Sequence, residues 1–448
     1  MIYDVVVAGS GPSGMTAALA AARNGAKVLL IEKNGYLGGM NTAGMVGPFM
    51  TFHSGEKQVV KGIAEEIVAR LVKRGGSFGH ISDPIGVVST ITPFEPEQLK
   101  QLYFEMVSEE KNISLLLHTF VAGVGKTGRS VKNISCVNKS GIFTVEAKLF
   151  IDATGDGDVA ALAKAKYEEG RKSDNLAQPM TLMFKMGGIN FDKIREYIRE
   201  NPEQFILSEE DNLDQYVAVS GYFDSINVAK EDKEFTINRD RVLMFQGINP
   251  GEAFINMSRI IKLQGTNGSD LTKAEVIGHK QIDEIVHFLK KYVEGFEHSF
   301  LLQTASTVGV RESRRFHCQY SLTMEDVLEG KDFEDGVAAC AFPIDLHDPN
   351  GSELSWIRTN KDSYYTIPYR CMLLKQFDNL IVTGRCIDTS HESMASARVS
   401  PTAMALGEAA GTAAALAINM GIESFSKVDV KKLRKILMNN KCIVAKEE

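Results

Sequence analysis

The residues best suited to moving a proton or gripping an anion lie late in the chain. In Phe342-Pro343-Ile344-Asp345-Leu346-His347-Asp348, Asp345 and His347 stand two apart, so on a strand they share a face. A carboxylate beside an imidazole orients it and raises its pKa, which suits proton transfer. A lone histidine in such a run is more often structural. Upstream, Arg311, Arg314 and Arg315 fall within five positions. Such a run makes either a solvated, salt-bridged helix start of small energetic weight or a planar fork for a carboxylate or pyrophosphate. Arg370 and Arg398 are further cations near these stretches.

These groups need a scaffold, and the first forty residues supply its pattern. Tyr3-Asp4-Val5-Val6-Val7-Ala8 reads as a buried parallel strand. It runs into Gly9-Ser10-Gly11-Pro12-Ser13-Gly14 and an alanine-rich helix that Asn24-Gly25 stops. A second strand, Lys27 to Ile31, ends in Glu32. Strand, Gly-x-Gly-x-x-Gly, helix, strand and acid in register form a dinucleotide-binding fingerprint. Gly9 makes the tight turn, Gly11 admits a pyrophosphate and Gly14 lets helix and strand pack closely. Glu32 accepts hydrogen bonds from ribose hydroxyls. A second match, Gly123-Val124-Gly125-Lys126-Thr127-Gly128, precedes an extended run and no helix, so it reads as a hairpin turn. It is no phosphate loop either, because Phe120 stands where the first glycine of that motif belongs.

The chain has 448 residues, enough for two or three domain-sized units. Its 44% hydrophobic and 24% charged residues are those of a soluble globular protein. A net charge of −7 argues against nucleic acid or an anionic membrane as main partner. The first strand begins at once, leaving no room for a signal peptide, and no apolar stretch approaches a membrane span. Six scattered cysteines form no Cys-x-x-Cys pair, so the expected compartment is the cytoplasm.

The remaining chain alternates in character. Val131–Val137 and Ile142–Glu146 alternate as a hairpin, and Leu149 to Asp152 is another buried strand entering Ala153-Thr154-Gly155-Asp156-Gly157-Asp158. That turn lacks the spacing of a calcium loop, and no metal site is expected anywhere. Gln178 to Met186 reads as a strand, residues 192–240 carry no clear pattern, and Val242 to Asn256 looks extended. Lys273 to Val293 is an amphipathic helix with Ile277, Ile282, Ile285, Phe288, Leu289 and Val293 near one face. Pro401 fits the first helical position behind a Ser400 cap, opening a helix whose Gly407, Ala410, Gly411 and Ala414 permit very close packing. The tail from Lys427 is basic and amphipathic, a solvated helix face.

A Gly-rich loop, Gly35 to Gly44, follows Glu32 where a nicotinamide-binding domain would pass to its next helix, and this points to a flavin. Glu32 with Gly38-Gly39 resembles the second FAD signature of flavoproteins related to glutathione reductase and fumarate reductase. With Asp152 to Asp158, Gly309 to Arg315, Ile344 to His347, Ile367 to Cys371, Asn379 to Cys386 and Arg398 to Gly411, the chain resembles the bacterial FAD-dependent oxidoreductase family of the fumarate-reductase-like type over nearly its whole length. The resemblance implies an α/β fold: a Rossmann-type FAD-binding domain, with a central parallel sheet and inserted antiparallel hairpin, plus an inserted α+β substrate domain. The implied division is 1–170 and 376–425 for FAD, 171–375 for the substrate domain, and 426–448 for a C-terminal helix and tail.

The implied FAD contacts are Gly9, Ser10, Gly11, Pro12, Ser13, Gly14, Glu32 and Lys33, then Gly38, Gly39 and Met40, Val121, and Thr154, Gly155 and Asp156. Gly384, Arg385, Ser400, Thr402 and Ala403 complete them, with the last helix start facing the flavin pyrimidine ring. No histidine occurs in the dozen residues after Gly39, so the FAD is expected to be non-covalent. The implied activity is hydride transfer between FAD and a small polar, anionic molecule. His347, oriented by Asp345, moves the proton, Arg311 and Arg370 grip the anion, and Arg398 lies near flavin or substrate. The electron donor or acceptor and the oligomeric state stay open. Two rival readings are a flavoprotein subunit of an electron-transfer complex and a tRNA-modifying flavoprotein.

Overall fold

The computed structural model describes residues 3–209, 212–351, 354–357 and 363–446. Its central sheet is built around Tyr3–Ala8, which pairs in parallel with Val28–Ile31 on one side and with the end of Gly141–Asp152 on the other. Ile113–Leu116 extends the sheet beyond Val28–Ile31, and Leu380–Val382 pairs with Phe150 to Asp152, also in parallel. Val5, Val6, Val7 and Ala8 are all buried, as a strand covered on both faces requires. Gly141–Asp152 serves two partners. Its first half closes an antiparallel hairpin with Ser130–Asn138, and its second half joins the parallel sheet. This is the Rossmann-type α/β architecture with an inserted hairpin that the sequence leads one to expect. Most of the second Gly-x-Gly-x-x-Gly run is strand Phe120–Thr127, and the turn itself starts at Gly128 with φ of +58°.

Helix Pro12–Arg23 is buried from Ser13 to Ala22, because it lies between the sheet and helix Ser400–Asn419. A β-carbon on Gly407 would sit 2.0 Å from the Ser13 carbonyl oxygen, and one on Gly411 would sit 2.1 Å from that of Ala17. Both contacts step forward four residues, so the two helices run in the same direction and begin at the same edge of the sheet.

A second, five-stranded antiparallel sheet has the order Ala218–Gly221, Val242–Gln246, Ala253–Ile255, Phe184–Gly187, Phe300–Thr304. One face, with Val219, Met244 and Ile255, shares a core with Ile282, Ile285, Phe288 and Leu289 of helix Gly268–Tyr292. That helix starts five residues before the expected Lys273, where the Asn267 side chain accepts from the Asp270 N–H. Ile277 does not join the apolar face: it is 37% exposed, and Gly278 takes the inner position against Leu182. Of the expected strand Gln178–Met186, only Phe184 onward enters the ladder, with single bridges at Met180 and Thr181. The unpatterned 192–240 region holds helices Phe191–Glu200 and Phe223–Glu231 besides one strand. No helix is long and apolar enough to cross a membrane among the described residues.

Candidate active site

A cavity of about 410 Å³ opens where the parallel strands end and runs beneath the second sheet. On its first side the three fingerprint glycines do three different things. Gly9 has φ of +91°, and a β-carbon there would lie 2.5 Å from the Ala153 carbonyl oxygen, so the turn tolerates only glycine. At Gly14 a β-carbon would lie 1.9 Å from the Gly9 carbonyl oxygen. Gly11 differs: its β-carbon would meet nothing nearer than the Gly39 Cα at 4.0 Å, leaving bare backbone open to the cavity.

Helices Pro12–Arg23 and Ser400–Asn419 both start at this wall, and neither has a side-chain cap. Val399, not the expected Ser400, holds the cap position of the second helix; the Ser400 hydroxyl instead accepts from Asn41 Nδ2 at 2.9 Å. Two uncapped helix starts side by side present free N–H groups and two positive dipole ends, an arrangement that suits a pyrophosphate.

Glu32 is 4% exposed. Its Oε2 accepts from Ser10 N at 2.9 Å and Ser10 Oγ at 2.6 Å, while Oε1 accepts from Asn34 N and Nδ2, both at 2.9 Å. Across the cavity, buried Asp152 accepts from Thr154 Oγ1 at 2.7 Å and from Ala160 N at 2.8 Å, fixing the turn that presents Thr154, Gly155 and Asp156. Burial pushes the Asp152 carboxyl up to about 6, against the pull of those bonds. Arg385 donates to the Gly155 carbonyl at 3.0 Å, to Asp156 Oδ1 at 2.5 Å and to the Val310 carbonyl, joining two walls. Lys33, Met40, Val121, Gly384, Ser400 and Ala403 also line the cavity. Gly14, Gly38 and Thr402 lie behind its wall and act through packing.

At the other end, strand Ile344–His347 brings Asp345 and His347 to one face, with His347 Nε2 at 3.2 Å from Asp345 Oδ2. Trp356, the chain's single tryptophan, donates from Nε1 to Asp345 Oδ1 at 2.9 Å, and Arg398 Nη2 lies 3.5 Å from Oδ2. His347 Nδ1 is buried and has no partner among the described residues. With Nε2–H donating to the carboxylate, Nδ1 keeps its lone pair as a proton acceptor. The pKa expectation needs correcting in direction. Burial pulls the imidazole below its ordinary value; Asp345 pulls it back, but Arg311 and Arg398 oppose that and the net shift is downward. Burial raises Asp345, yet His347, Arg398 and Arg311 outweigh it and hold the carboxyl below the usual range.

The three clustered arginines separate. Arg314 bonds Asp158 and Arg315 bonds Glu312, in strand Arg314–Phe316 and not in a helix start. Arg311 alone of the three lines the cavity. Its Nη1 donates to the Pro179 carbonyl at 2.7 Å and Thr181 Oγ1 at 2.5 Å, and no carboxylate pairs with it among the described residues. Arg370 is elsewhere. It forks onto Asp335 at 2.9 and 3.1 Å on the protein surface and lies over the Tyr320 ring, because the short turn Tyr369–Cys371 carries it away from the cavity. Sequence reasoning missed Asn34, Asn41, Ser220, Asn256 and Trp356. Only the lone tryptophan, eleven residues from Asp345, offered a signal.

A family model described as FAD dependent oxidoreductase matches residues 4–437. The chain belongs to that family. FAD is its cofactor, and the open Gly11 backbone between two uncapped helix starts, flanked by Glu32, fits the group. Among curated relatives, the thiamine thiazole synthase of Methanococcus aeolicus is 28% identical over 172 residues, 37% of this chain and 60% of that protein. The thiamine thiazole synthase of Pyrococcus horikoshii is 34% identical over 161 residues, 34% of this chain and 58% of that one. The alignments thus span about 60% of the length of these relatives. The crystal structure of p-nitrophenol 4-monooxygenase from Pseudomonas putida shares the fold, with a TM-score of 0.50 at 10% identity, covering 100% of this chain and 99% of that one. This FAD-dependent oxidoreductase therefore combines a flavin cradle with an arginine, histidine and aspartate cluster in one cavity.

Proposed function

We propose that this protein transfers a hydride between a small anionic organic substrate and non-covalent FAD. The observation that carries the reading is Arg311, a guanidinium lining the cavity with no carboxylate partner among the described residues. A charge removed from bulk water without a counter-ion is costly, and a bound anion relieves that cost. Because Nη1 is held by protein oxygens, the Nε–Nη2 edge, which carries no hydrogen bond among the described residues, is left to receive both oxygens of a carboxylate. FAD, when bound, supplies the two-electron chemistry. The chain's own residues orient the substrate and move one proton, with His347 Nδ1 as acceptor and Asp345 fixing its ring. An electron donor or acceptor outside the chain completes the cycle.

The test uses FAD-loaded protein titrated with butyrate while the flavin absorption band is followed. Arg311→Leu keeps its flavin but weakens the carboxylate response by about tenfold or more. Equal responses in both proteins would overturn the reading.

A further inference from the structure

Two residues of the cavity wall contributed by the second sheet and its strand end carry a buried polar atom with no partner among the described residues. Ser220 is 1% exposed and its Oγ has no hydrogen-bond partner among the described residues; Asn256 Oδ1 is likewise buried and unpartnered. They are neighbours across one strand. Ser220 pairs directly with Leu243, and the Asn256 N–H donates to the Leu243 carbonyl at 2.9 Å. All three residues line the cavity, whereas Val219, Met244 and Ile255, one position along each strand, lie in the core on the other face. The pair is also close to the arginine cluster. Arg239 donates to the Asn256 carbonyl at 2.6 Å, and its charge acts on Arg311.

We infer that Ser220 and Asn256 form a subsite for a hydroxyl group on the substrate, so that the anion held by Arg311 is a hydroxylated carboxylate. This rests on the anionic reading above. The choice of group follows from what the two side chains ask for. A serine hydroxyl donates and accepts, and an amide offers an acceptor and a donor whichever way it is turned. A substrate hydroxyl meets both partners in either orientation. A ketone only accepts, so it pairs with the amide in one of its two orientations and leaves the oxygen unpaired in the orientation found here. An ammonium donates, but Arg239, Arg259 and Arg398 already act with like charge on Arg311, with Asp345 opposing them. Leu243 and Phe245 make the surrounding wall apolar, so a hydroxyl here has few other ways to keep its hydrogen bonds.

The experiment compares butyrate with its three hydroxybutyrate isomers on FAD-loaded protein, read by the flavin band and by Trp356 fluorescence. The expected result is that one isomer binds about tenfold or more tighter than butyrate. In Ser220→Ala/Asn256→Leu that advantage shrinks to about threefold or less while butyrate binding is kept. An advantage that survives in the double variant, or no advantage in the unmodified protein, overturns the subsite. Failure of all four acids to bind sinks the anionic reading, and the subsite with it. A second measurement separates binding from structure. Because nothing among the described residues bonds to the Ser220 hydroxyl, Ser220→Ala leaves Tm unchanged or raised, and a fall of about 2 °C or more would mark the hydroxyl as structural and overturn the assignment.

Discussion

Ser13 and Gly407 meet backbone to backbone. A β-carbon at 407 would stand 2.0 Å from the Ser13 carbonyl oxygen, and the neighbouring Thr16 hydroxyl donates to the Met404 carbonyl at 2.7 Å. Because the helices are parallel, this contact sets where both N-termini stand at the cavity. Gly407→Ala therefore forces them apart. Its expected cost is about 1–3 kcal/mol, with a lower ratio of bound flavin to protein, checked by thermal melting and by absorbance of the purified variant.

The fingerprint glycines predict opposite outcomes at Gly9 and Gly11. Gly9→Ala combines positive φ with a backbone clash, so it lowers the Tm of the flavin-free protein. Gly11 has φ of −64° and an open face, so Gly11→Ala leaves that Tm in place and weakens FAD binding by occupying the approach to the pyrophosphate. Fluorescence titration of flavin-free protein with FAD, beside melts of the same samples, separates the two.

The imidazole of His347 carries a pH signature. Its native pKa lies below the ordinary 6.5, so the acid limb of kcat/KM falls below pH 6.5. Asp345 is the group that pulls the ring upward, and Asp345→Asn leaves burial and two guanidiniums unopposed, moving that limb lower still. The sign for stability is the same. A depressed histidine contributes stability that is present above pH 6.5 and lost as the pH falls toward its native pKa. His347→Gln therefore flattens the decline of Tm on the acid side, and a limb or melt that moves the other way would refute the electrostatic account.

Arg370 serves as the control. Its bidentate pair with Asp335 is on the surface, so Arg370→Ala changes stability by about 1 kcal/mol or less. Substrate affinity and turnover stay as in the unmodified protein, measured beside Arg311→Leu.

What was legible from sequence is what depends on local pattern. The run from Tyr3 to Glu32 carries its geometry in neighbouring residues, and Asp345 and His347 announce a shared strand face by spacing alone. The arginines were not separable, because Arg311, Arg314 and Arg315 differ only in which distant wall each meets: Thr181, Asp158 and the Gly170 carbonyl. The direction of the His347 shift was hidden for the same reason, since Asp345 is two residues away, whereas the burial that lowers the ring and the assisting Arg311 and Arg398 come from elsewhere in the chain. Ser220 lay in a polar stretch with no readable period. Its position became meaningful only when Leu243 paired beside it and placed Asn256 on the same face.

The parallel helix pair also has a consequence for biosynthesis. Thr16 leaves the ribosome 388 residues ahead of its partner Met404. At about 5–20 residues per second, the first helix waits roughly 20–80 s for the surface that covers it. During that time its alanine-rich face, with Ala17 and Ala21 at 0% exposure in the finished protein, is left without its natural cover. Flavin capture is then a late event in the life of the nascent chain, because the second helix start at the cavity is made only after that interval.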